Sequence, residues 1–333
     1  MLRTRVCELL GIRHPIVLGG MSTGTSPGLV AAVSNAGGLG LQGASGRSPA
    51  DISTLVEQVR ELTQHPFGLN LLLFMSSDEQ IQAVLRAGAP VFSTAWRWPD
   101  QDLRPLFARA HDSGARVVHM VSTIGEAGQA AESGADVIVA QGTEGGGHVG
   151  LMGTLPLVRM VVRAVAPLPV MAAGGIADGA GLAAALALGA EGALLGTRFL
   201  ATAESPLPDT YKQAIVASDG HDTLVTEIPD LATGTVWPGA YARTYRNHFV
   251  QRWIGREGDL RAERRLVAAN LQQARLAGDV DNGALLFGQD AGLIDSIEPA
   301  GLIVERLVAE AEQMLRERLS GLLTSQPEQL VSG

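Results

Sequence analysis

The chain alternates short apolar runs with longer stretches whose apolar positions recur at helical spacing. Each short run is β-branched or aliphatic, and a glycine-containing turn separates it from an Ala/Leu-rich amphipathic stretch. Short apolar runs bounded by turn residues are typical of buried strands, and an apolar repeat of about 3.6 residues is typical of a helix packed on one face. The pattern predicts strands at residues 15–18, 38–42, 67–73, 91–94, 116–121, 136–140, 168–172 and 192–195.

The stretches between these strands have the length and spacing of helices. Eight alternating strand–helix units are what a parallel (β/α)8 barrel requires, whereas a doubly wound open sheet rarely needs so many regular repeats. We therefore predict an α/β fold, a (β/α)8 TIM barrel, over the first two-thirds of the chain. The predicted helices are 26–35, 50–63, 78–87, 103–113, 124–133, 155–165 and 180–188.

The pattern changes beyond residue 200. Residues 205–282 combine prolines and aromatic residues with a charged run, REGDLRAERR, at 256–265. Such a segment predicts a mostly helical cap, inserted after the eighth strand and laid across the barrel mouth, where it shapes the substrate pocket. The barrel then comprises residues 1–204 and 283–333, with a terminal helix over 300–323 and a frayed end at 324–333.

The cap offers candidate contacts to a substrate. An equally good interpretation makes its aromatic residues the cap's own small core and its arginines a solvated face. The candidates are Trp237, Tyr241 and Tyr245, with Arg243 and Arg246 as anion contacts.

Composition and charge narrow the classes of partner. The formal net charge is −9 and no basic stripe is present, which argues against nucleic acid and anionic membranes. A single cysteine, Cys7, excludes an intrachain disulfide and a cysteine-rich zinc site, so we interpret it as structural and predict no metal site. No apolar run has the length of a signal sequence or membrane span, which predicts a cytoplasmic protein. Lys212 is the only lysine, which disfavours Schiff-base chemistry.

In a TIM barrel the carboxyl ends of the strands meet at one rim, where the chemistry gathers. We expect one site from the residues that follow the predicted strands. The pattern does not fix whether the His119 side chain points to the barrel interior or to the surrounding helices. We interpret it as a core histidine. The rim set is Gly19, Gly20, Met21, Asn70, Thr94, Ala95, Trp96, His119, residues 141–148, Ala173, Gly174, Gly175, Gly196, Thr197 and Arg198.

The sharpest feature of this rim follows the sixth strand. Gln141 and Gly142 lead into three consecutive glycines, 145–147, and then into His148. Glycines let a backbone approach a flat ligand closely, and a near-neutral imidazole beside that ligand can move protons. This predicts a cofactor surface with His148 as the catalytic residue; the alternative is a solvated loop histidine.

The seventh and eighth strands both end in glycine-containing turns, at 173–175 and 196–197. Backbone N–H groups of these two turns, together with a helix N-terminus, form the phosphate cradle common to this barrel class. A phosphate-bearing ligand is therefore expected, although the same glycines could serve only tight turns.

Taken together, these stretches resemble the nitronate monooxygenase (2-nitropropane dioxygenase) family, and they are also similar to a flavin-dependent enoyl-reductase branch of the same fold. The resemblance covers residues 1–205 and returns near the end of the chain. It implies a (β/α)8 barrel that holds FMN non-covalently. The motifs are HPIVLGGM at 14–21, PFGLN at 66–70, VAQGTEGGGHVG at 139–150, PVMAAGGIADG at 169–179, GAEGALLGTRFLAT at 189–202 and GALLFGQDAGLI at 283–294.

The resemblance also assigns roles to single residues. His148 matches the family's active-site histidine. The cofactor set comprises residues along the flavin and residues at its phosphate: Gly20, Met21, Asn70, Gln141, Gly146 and Gly147 for the flavin, and Ala173, Gly174, Gly175, Gly196 and Thr197 for the phosphate. Two departures weaken inference about the substrate: Gly145 stands where relatives usually have Ala or Ser, and Met120 where some relatives have lysine.

Function by resemblance is FMN-dependent oxidation of alkyl nitronates with O2 to a carbonyl compound and nitrite. The first alternative is an NAD(P)H-dependent FMN reductase acting on an enoyl thioester or quinone. Gln141 favours the monooxygenase, because the reductase branch usually has glutamate there. A lower-ranked alternative is a non-flavin barrel isomerase or aldolase with a phosphorylated substrate. Association as a homodimer is compatible with all three.

Overall fold

The computed structural model describes residues 2–322, and within them eight parallel strands close into a barrel. These eight strands follow one another around the barrel in chain order, which confirms the predicted TIM barrel. Every predicted strand is present, with ends shifted by at most two residues. The strands are β1 (Ile16–Leu18), β2 (Leu39–Gly43), β3 (Phe67–Leu72), β4 (Val91–Ala95), β5 (Arg116–Val121), β6 (Val137–Gln141), β7 (Gly147–Val149), β8 (Val170–Ala173), β9 (Ala193–Leu195), β10 (Thr223–Thr226) and β11 (Tyr241–Tyr245).

The helices alternate with the barrel strands as the apolar repeat predicts. Side-chain caps start several of them: Ser48, Ser77 and Thr123 each form a capping box at the first turn. The helices are α1 (Arg5–Leu10), α2 (Pro27–Asn35), α3 (Pro49–Leu62), α4 (Asp78–Arg86), α5 (Arg104–Asp112), α6 (Ile124–Glu132), α7 (Thr154–Val165), α8 (Gly179–Ala187), α9 (Thr197–Leu200), α10 (Asp209–Ala217), α11 (Ile228–Thr233), α12 (His248–Trp253), α13 (Glu257–Ala277) and α14 (Ala300–Gln313).

One end of the barrel is closed by α1, an element that the sequence pattern did not predict. Its buried side chains, among them Cys7, pack with interior strand residues such as Val17 and Met171. The hydroxyl of Thr4 donates to the carbonyl of Glu191, just before β9 begins, which places α1 at the amino ends of the strands. The barrel is therefore open at the opposite rim, and Cys7 is a core residue as expected.

The eighth outer helix comes from the C-terminal part of the chain. Only the short α9 follows β9, whereas α14 packs against α8 and α2 and so completes the ring of helices. Glu204 accepts a hydrogen bond from the Ala300 N–H at the start of α14, so the chain rejoins the barrel near the point where it left. The predicted frayed end at 324–333 lies outside the described residues.

Residues 205–282 carry the helices α10 to α13 and also two strands of an antiparallel sheet, β10-β11-β7, that the prediction of a mostly helical segment did not contain. Its third strand, β7, lies in the glycine-rich stretch after β6, with Ala242 opposite His148. A three-residue strand among glycines shows no alternation of its own, so only its partner reveals it. In the described part of the chain, no helix combines the length and apolarity needed to cross a membrane.

Candidate active site

A cavity of about 470 Å³ opens at the carboxyl ends of the barrel strands. Its volume is in the range of small-molecule and cofactor sites. The described structure brings all but one of the predicted site residues to its wall; the exception is Gly175, which is one residue further along the turn. Those on the wall are Gly20, Met21, Asn70, Gln141, Gly146, Gly147, His148, Ala173, Gly174, Gly196 and Thr197.

Seven members of the predicted rim set do not line this cavity: Thr94, His119, Gly142, Thr143, Glu144, Gly175 and Arg198. Thr94 and His119 are buried and hydrogen-bonded to each other, with 2.7 Å between Oγ1 and Nδ1. Burial lowers the pKa of His119 to about 3, so it is a neutral core histidine. Arg198 is also buried, and its Nη2 donates to the carbonyls of Ala201 and Ser296. The expectation of a single rim site is wrong for Thr94 and Arg198, because their side chains turn into the protein, whereas the interpretation of His119 as a core histidine is confirmed.

The glycine run before His148 is held by the late GALLFGQDAGLI segment. A Cβ on Gly146 would lie 2.5 Å from the backbone of both Phe287 and Gly288, so only glycine fits. The N–H of Gln289 donates to the carbonyl of Glu144 at 2.9 Å, and the N–H of Gly288 donates to Thr197 Oγ1 at 2.9 Å. The late segment therefore fixes the glycine run against the turn after β9.

His148 lies on β7 at the cavity wall. Its Nε2 is 2.9 Å from Oδ1 of Asp230, a residue of α11. Its ring is stacked on the indole of Trp237, with centroids 3.4 Å apart and planes 10° apart. Within residues 2–322, Nδ1 has no hydrogen-bond partner. The imidazole is thus fixed in position with one nitrogen bound and the other available.

The amides of Asn70 and Gln141 differ in how they are bonded. Asn70 Nδ2 donates to the carbonyl of Gly20 at 3.1 Å, and its Oδ1 accepts from Ser93 Oγ at 2.8 Å. Asn70 therefore holds the turn after β1 in place while lining the cavity. The Oε1 atom of Gln141 is buried and has no partner among the described residues, which leaves that amide incompletely satisfied.

The sequence matches the nitronate monooxygenase family model over residues 3–79 and 74–310. The chain belongs to the nitronate monooxygenase family. Family membership makes it a flavin-dependent oxidoreductase and removes the alternative of a non-flavin isomerase or aldolase.

Proteins similar to this chain have names that refer to different enzymes. A (3aS,4S,5R,7aS)-5-hydroxy-7a-methyl-1-oxo-octahydro-1H-indene-4-carboxyl-CoA dehydrogenase of Mycobacterium tuberculosis is 34% identical, over 93% of this chain and 96% of that protein. FabK from Thermotoga maritima superposes with a TM-score of 0.86 at 36% identity, covering 97% of this chain and 100% of FabK. A nitroalkane oxidase from Streptomyces ansochromogenes superposes with a TM-score of 0.81 at 30% identity, covering 96% and 99% of the two chains.

Two features of the cavity suit the flavin that membership of the nitronate monooxygenase family implies. Gly147 has φ 77° and no protein atom within 4 Å of where a Cβ would lie, so its face is open to close approach by a flat ring. Gly174 and Gly175 are also in the left-handed region, and the N–H groups of Gly175 and Thr197 have no partner within residues 2–322. Such free donors are what a phosphate group requires.

Asp290 is a wall residue that the sequence analysis missed, although it lies inside the late motif. It is 5% exposed, and burial raises the pKa of its carboxyl to about 7. A hydrogen bond with Thr197 and the charges of Arg198 and Arg243 act in the opposite direction. A carboxyl that is half protonated near neutral pH therefore stands beside the predicted phosphate cradle.

Of the five cap candidates, Trp237 reaches the cavity and the other four do not. Arg243 is buried: its Nε donates to the Thr143 carbonyl at 2.8 Å, and its Nη1 donates to Thr223 Oγ1 at 3.0 Å. Tyr245 stacks on Phe287. Sequence reasoning missed the wall residues Tyr211 and Arg275 and also the His148 partner Asp230, because all three lie in residues 205–282, outside the strand–helix repeat that marks the rim.

Proposed function

We propose that this protein oxidises alkyl nitronates with O2 at a bound FMN, giving a carbonyl compound and nitrite. Two nitronate ions and one O2 yield two carbonyl molecules and two nitrite ions, which balances atoms and charge. When bound, FMN supplies the redox chemistry between the nitronate and O2. The residues of the phosphate cradle and the glycine run would hold it, and His148 would lie on the substrate side.

The observation that carries this proposal is an apolar wall beside His148. Trp96, Met120 and Trp237 pack together there and line the cavity. Trp96 has φ 52°, a backbone conformation that a bulky side chain rarely adopts and that is found most often at functional sites. The apolar wall suits a short alkyl group, and His148 beside it suits the polar nitro group of the same substrate.

His148 can act on such a substrate in two ways. As a neutral imidazole it accepts the proton of the carbon that bears the nitro group, when the substrate arrives as the nitroalkane. As an imidazolium it donates a hydrogen bond to the nitro oxygens, when the substrate arrives as the anionic nitronate. Both actions use a ring nitrogen that the protein leaves free, which is the condition of Nδ1.

The cofactor can be identified directly. We expect the purified protein to be yellow and to release FMN, not FAD, on heat denaturation, because the cavity has one phosphate cradle. Chromatography of the released flavin against FMN and FAD standards measures this. A colourless protein that cannot be reconstituted with FMN, or release of FAD, would contradict the assignment.

An anaerobic titration tests the reaction itself. We expect propyl-1-nitronate to bleach the visible flavin absorbance, and NADH or NADPH at the same concentration not to do so within the turnover time, since nitronate oxidation needs no nicotinamide. Readmission of O2 should restore the absorbance and release nitrite. Rapid bleaching by a nicotinamide, with no response to the nitronate, would replace this proposal with the reductase.

That reductase, NAD(P)H-dependent and acting on an enoyl thioester or quinone, is the second candidate. One observation favours it: the cavity continues beneath the cap to Leu207, Tyr211, Ile215 and Arg275, beyond what a short nitronate occupies. An apolar channel with an exposed arginine at its end suits a long acyl chain with a phosphorylated carrier. The carboxyl-CoA dehydrogenase among the relatives is in keeping with a thioester substrate.

A further inference from the structure

Asp230 accepts the one hydrogen bond that the described structure gives to the His148 ring, at 2.9 Å. An ionised carboxylate only accepts hydrogen bonds, so the proton of the neutral imidazole is on Nε2 and the lone pair is on Nδ1. We propose that Asp230 is a positioning residue that fixes this tautomer and thereby makes Nδ1 the atom that exchanges a proton with the substrate. The inference deepens the proposed function, because it rests on His148 as the acid–base residue.

A single cap segment, 228–242, supplies a hydrogen bond, a ring stacking and a backbone pairing that orient the imidazole. Asp230 on α11 binds Nε2, Trp237 in the following loop stacks on one face of the ring, and Ala242 on β11 pairs with the backbone of His148. The backbone, the ring plane and the tautomer are each fixed by a different residue.

The surroundings of the pair strengthen the interaction. The side chains of His148 and Asp230 are 10% and 12% exposed, so little water competes for the hydrogen bond. The Asp230 backbone is fixed as well, since its carbonyl accepts from the N–H groups of Gly234 and Thr235. The carboxylate therefore has a defined position from which to hold the imidazole.

Asp230→Asn tests the proposal with an isosteric change. An asparagine amide can donate to Nε2, which moves the imidazole proton to Nδ1 and removes the free lone pair. With 1-nitropropane as substrate we expect kcat to fall by at least roughly 10-fold and by up to roughly 10⁴-fold, the loss that the same change causes in a Ser-His-Asp triad. KM and flavin content should be unchanged. Preformed propyl-1-nitronate, which needs no proton removal, should lose less activity.

A matched control is Asp136→Asn. Asp136 accepts from Nε2 of His111 at the same distance, 2.9 Å, but it lies just before β6, away from the cavity, where it also accepts from Arg116 and from the Val117 N–H. The control should retain wild-type kcat on both substrates. If Asp230→Asn also retains wild-type kcat with 1-nitropropane, or if it loses activity equally on both substrates, the proposed positioning role is wrong.

Nitrogen NMR of the wild-type holoenzyme provides a test that depends on neither activity nor a variant. With selectively ¹⁵N-labelled histidine, the neutral His148 ring should carry its proton on Nε2, and assignment of the signal follows from its loss in His148→Ala. A proton on Nδ1 would overturn the inference. If the wild type turns over no nitro compound, the proposed function fails instead, and the tautomer still decides the role of Asp230.

Discussion

His148→Ala should lower kcat by roughly 10²–10⁴ while the protein keeps its flavin, because that range is typical of losing a general acid–base group. The side chain lines the cavity but makes one hydrogen bond, to Asp230, so truncation removes the imidazole without opening the barrel. The cofactor contacts expected from the glycine run and the phosphate cradle are backbone groups, which the substitution leaves intact. Steady-state rates and the flavin-to-protein absorbance ratio measure both halves of the prediction.

His111→Ala is the matched control. His111 has the same kind of partner, Asp136, but its side chain is 40% exposed on the surface. It should lose no activity. A His148→Ala enzyme that turns over at the wild-type rate would mean that the histidine is only a wall residue; loss of flavin in that variant would mean that it holds the cofactor.

Asp290→Asn should change how stability depends on pH. The carboxyl has an ordinary pKa of 3.8, and burial raises its pKa to about 7 in the folded protein. Between these values the folded chain keeps a proton that the unfolded chain has lost, so its free energy of unfolding falls as pH rises and is level above pH 7. At about 1.4 kcal/mol per pKa unit, the loss between pH 5 and pH 8 is about 3 kcal/mol.

The asparagine amide does not ionise, so the variant should gain that amount over the wild type across the same pH range. Denaturant unfolding of both holoproteins at pH 5, 6, 7 and 8 measures the difference. Asp295→Asn, an exposed carboxylate five residues further along, serves as the control and should follow the wild type. Parallel pH profiles for Asp290→Asn and the wild type would show that Asp290 is ionised throughout.

The sequence by itself determined the barrel and the composition of most of its rim. Strand residues such as Ile16 and Val17 face opposite sides, toward the helices and the barrel interior, and this parity is a local property of an extended chain. The same holds for helices, whose apolar spacing reflects one buried face. Because the strands are parallel, their carboxyl ends share one rim. The residues that follow the strands could therefore be predicted to lie near one another from the sequence alone.

The glycine at position 146 was predictable for a similar reason. A run of glycines after a buried strand signals close approach of the backbone, and in the fold a Cβ there would meet the backbone of Phe287 and Gly288. The sequence did not reveal that the backbone of another protein segment, and not a ligand, occupies the space beside Gly146. That partner comes from the late segment, well over a hundred residues away.

Tertiary structure alone decided how the His148 side chain is held. Asp230 is 82 residues from it along the chain, and β7 becomes a strand only because β11 pairs with it. It likewise decided that α14 completes the ring of helices and that Thr94, His119 and Arg198 turn away from the cavity. Periodicity records which face of an element is buried, and it carries no information about which distant segment covers that face. Which segment covers a face is determined by tertiary contacts such as those of Asp230 and Ala242 with His148.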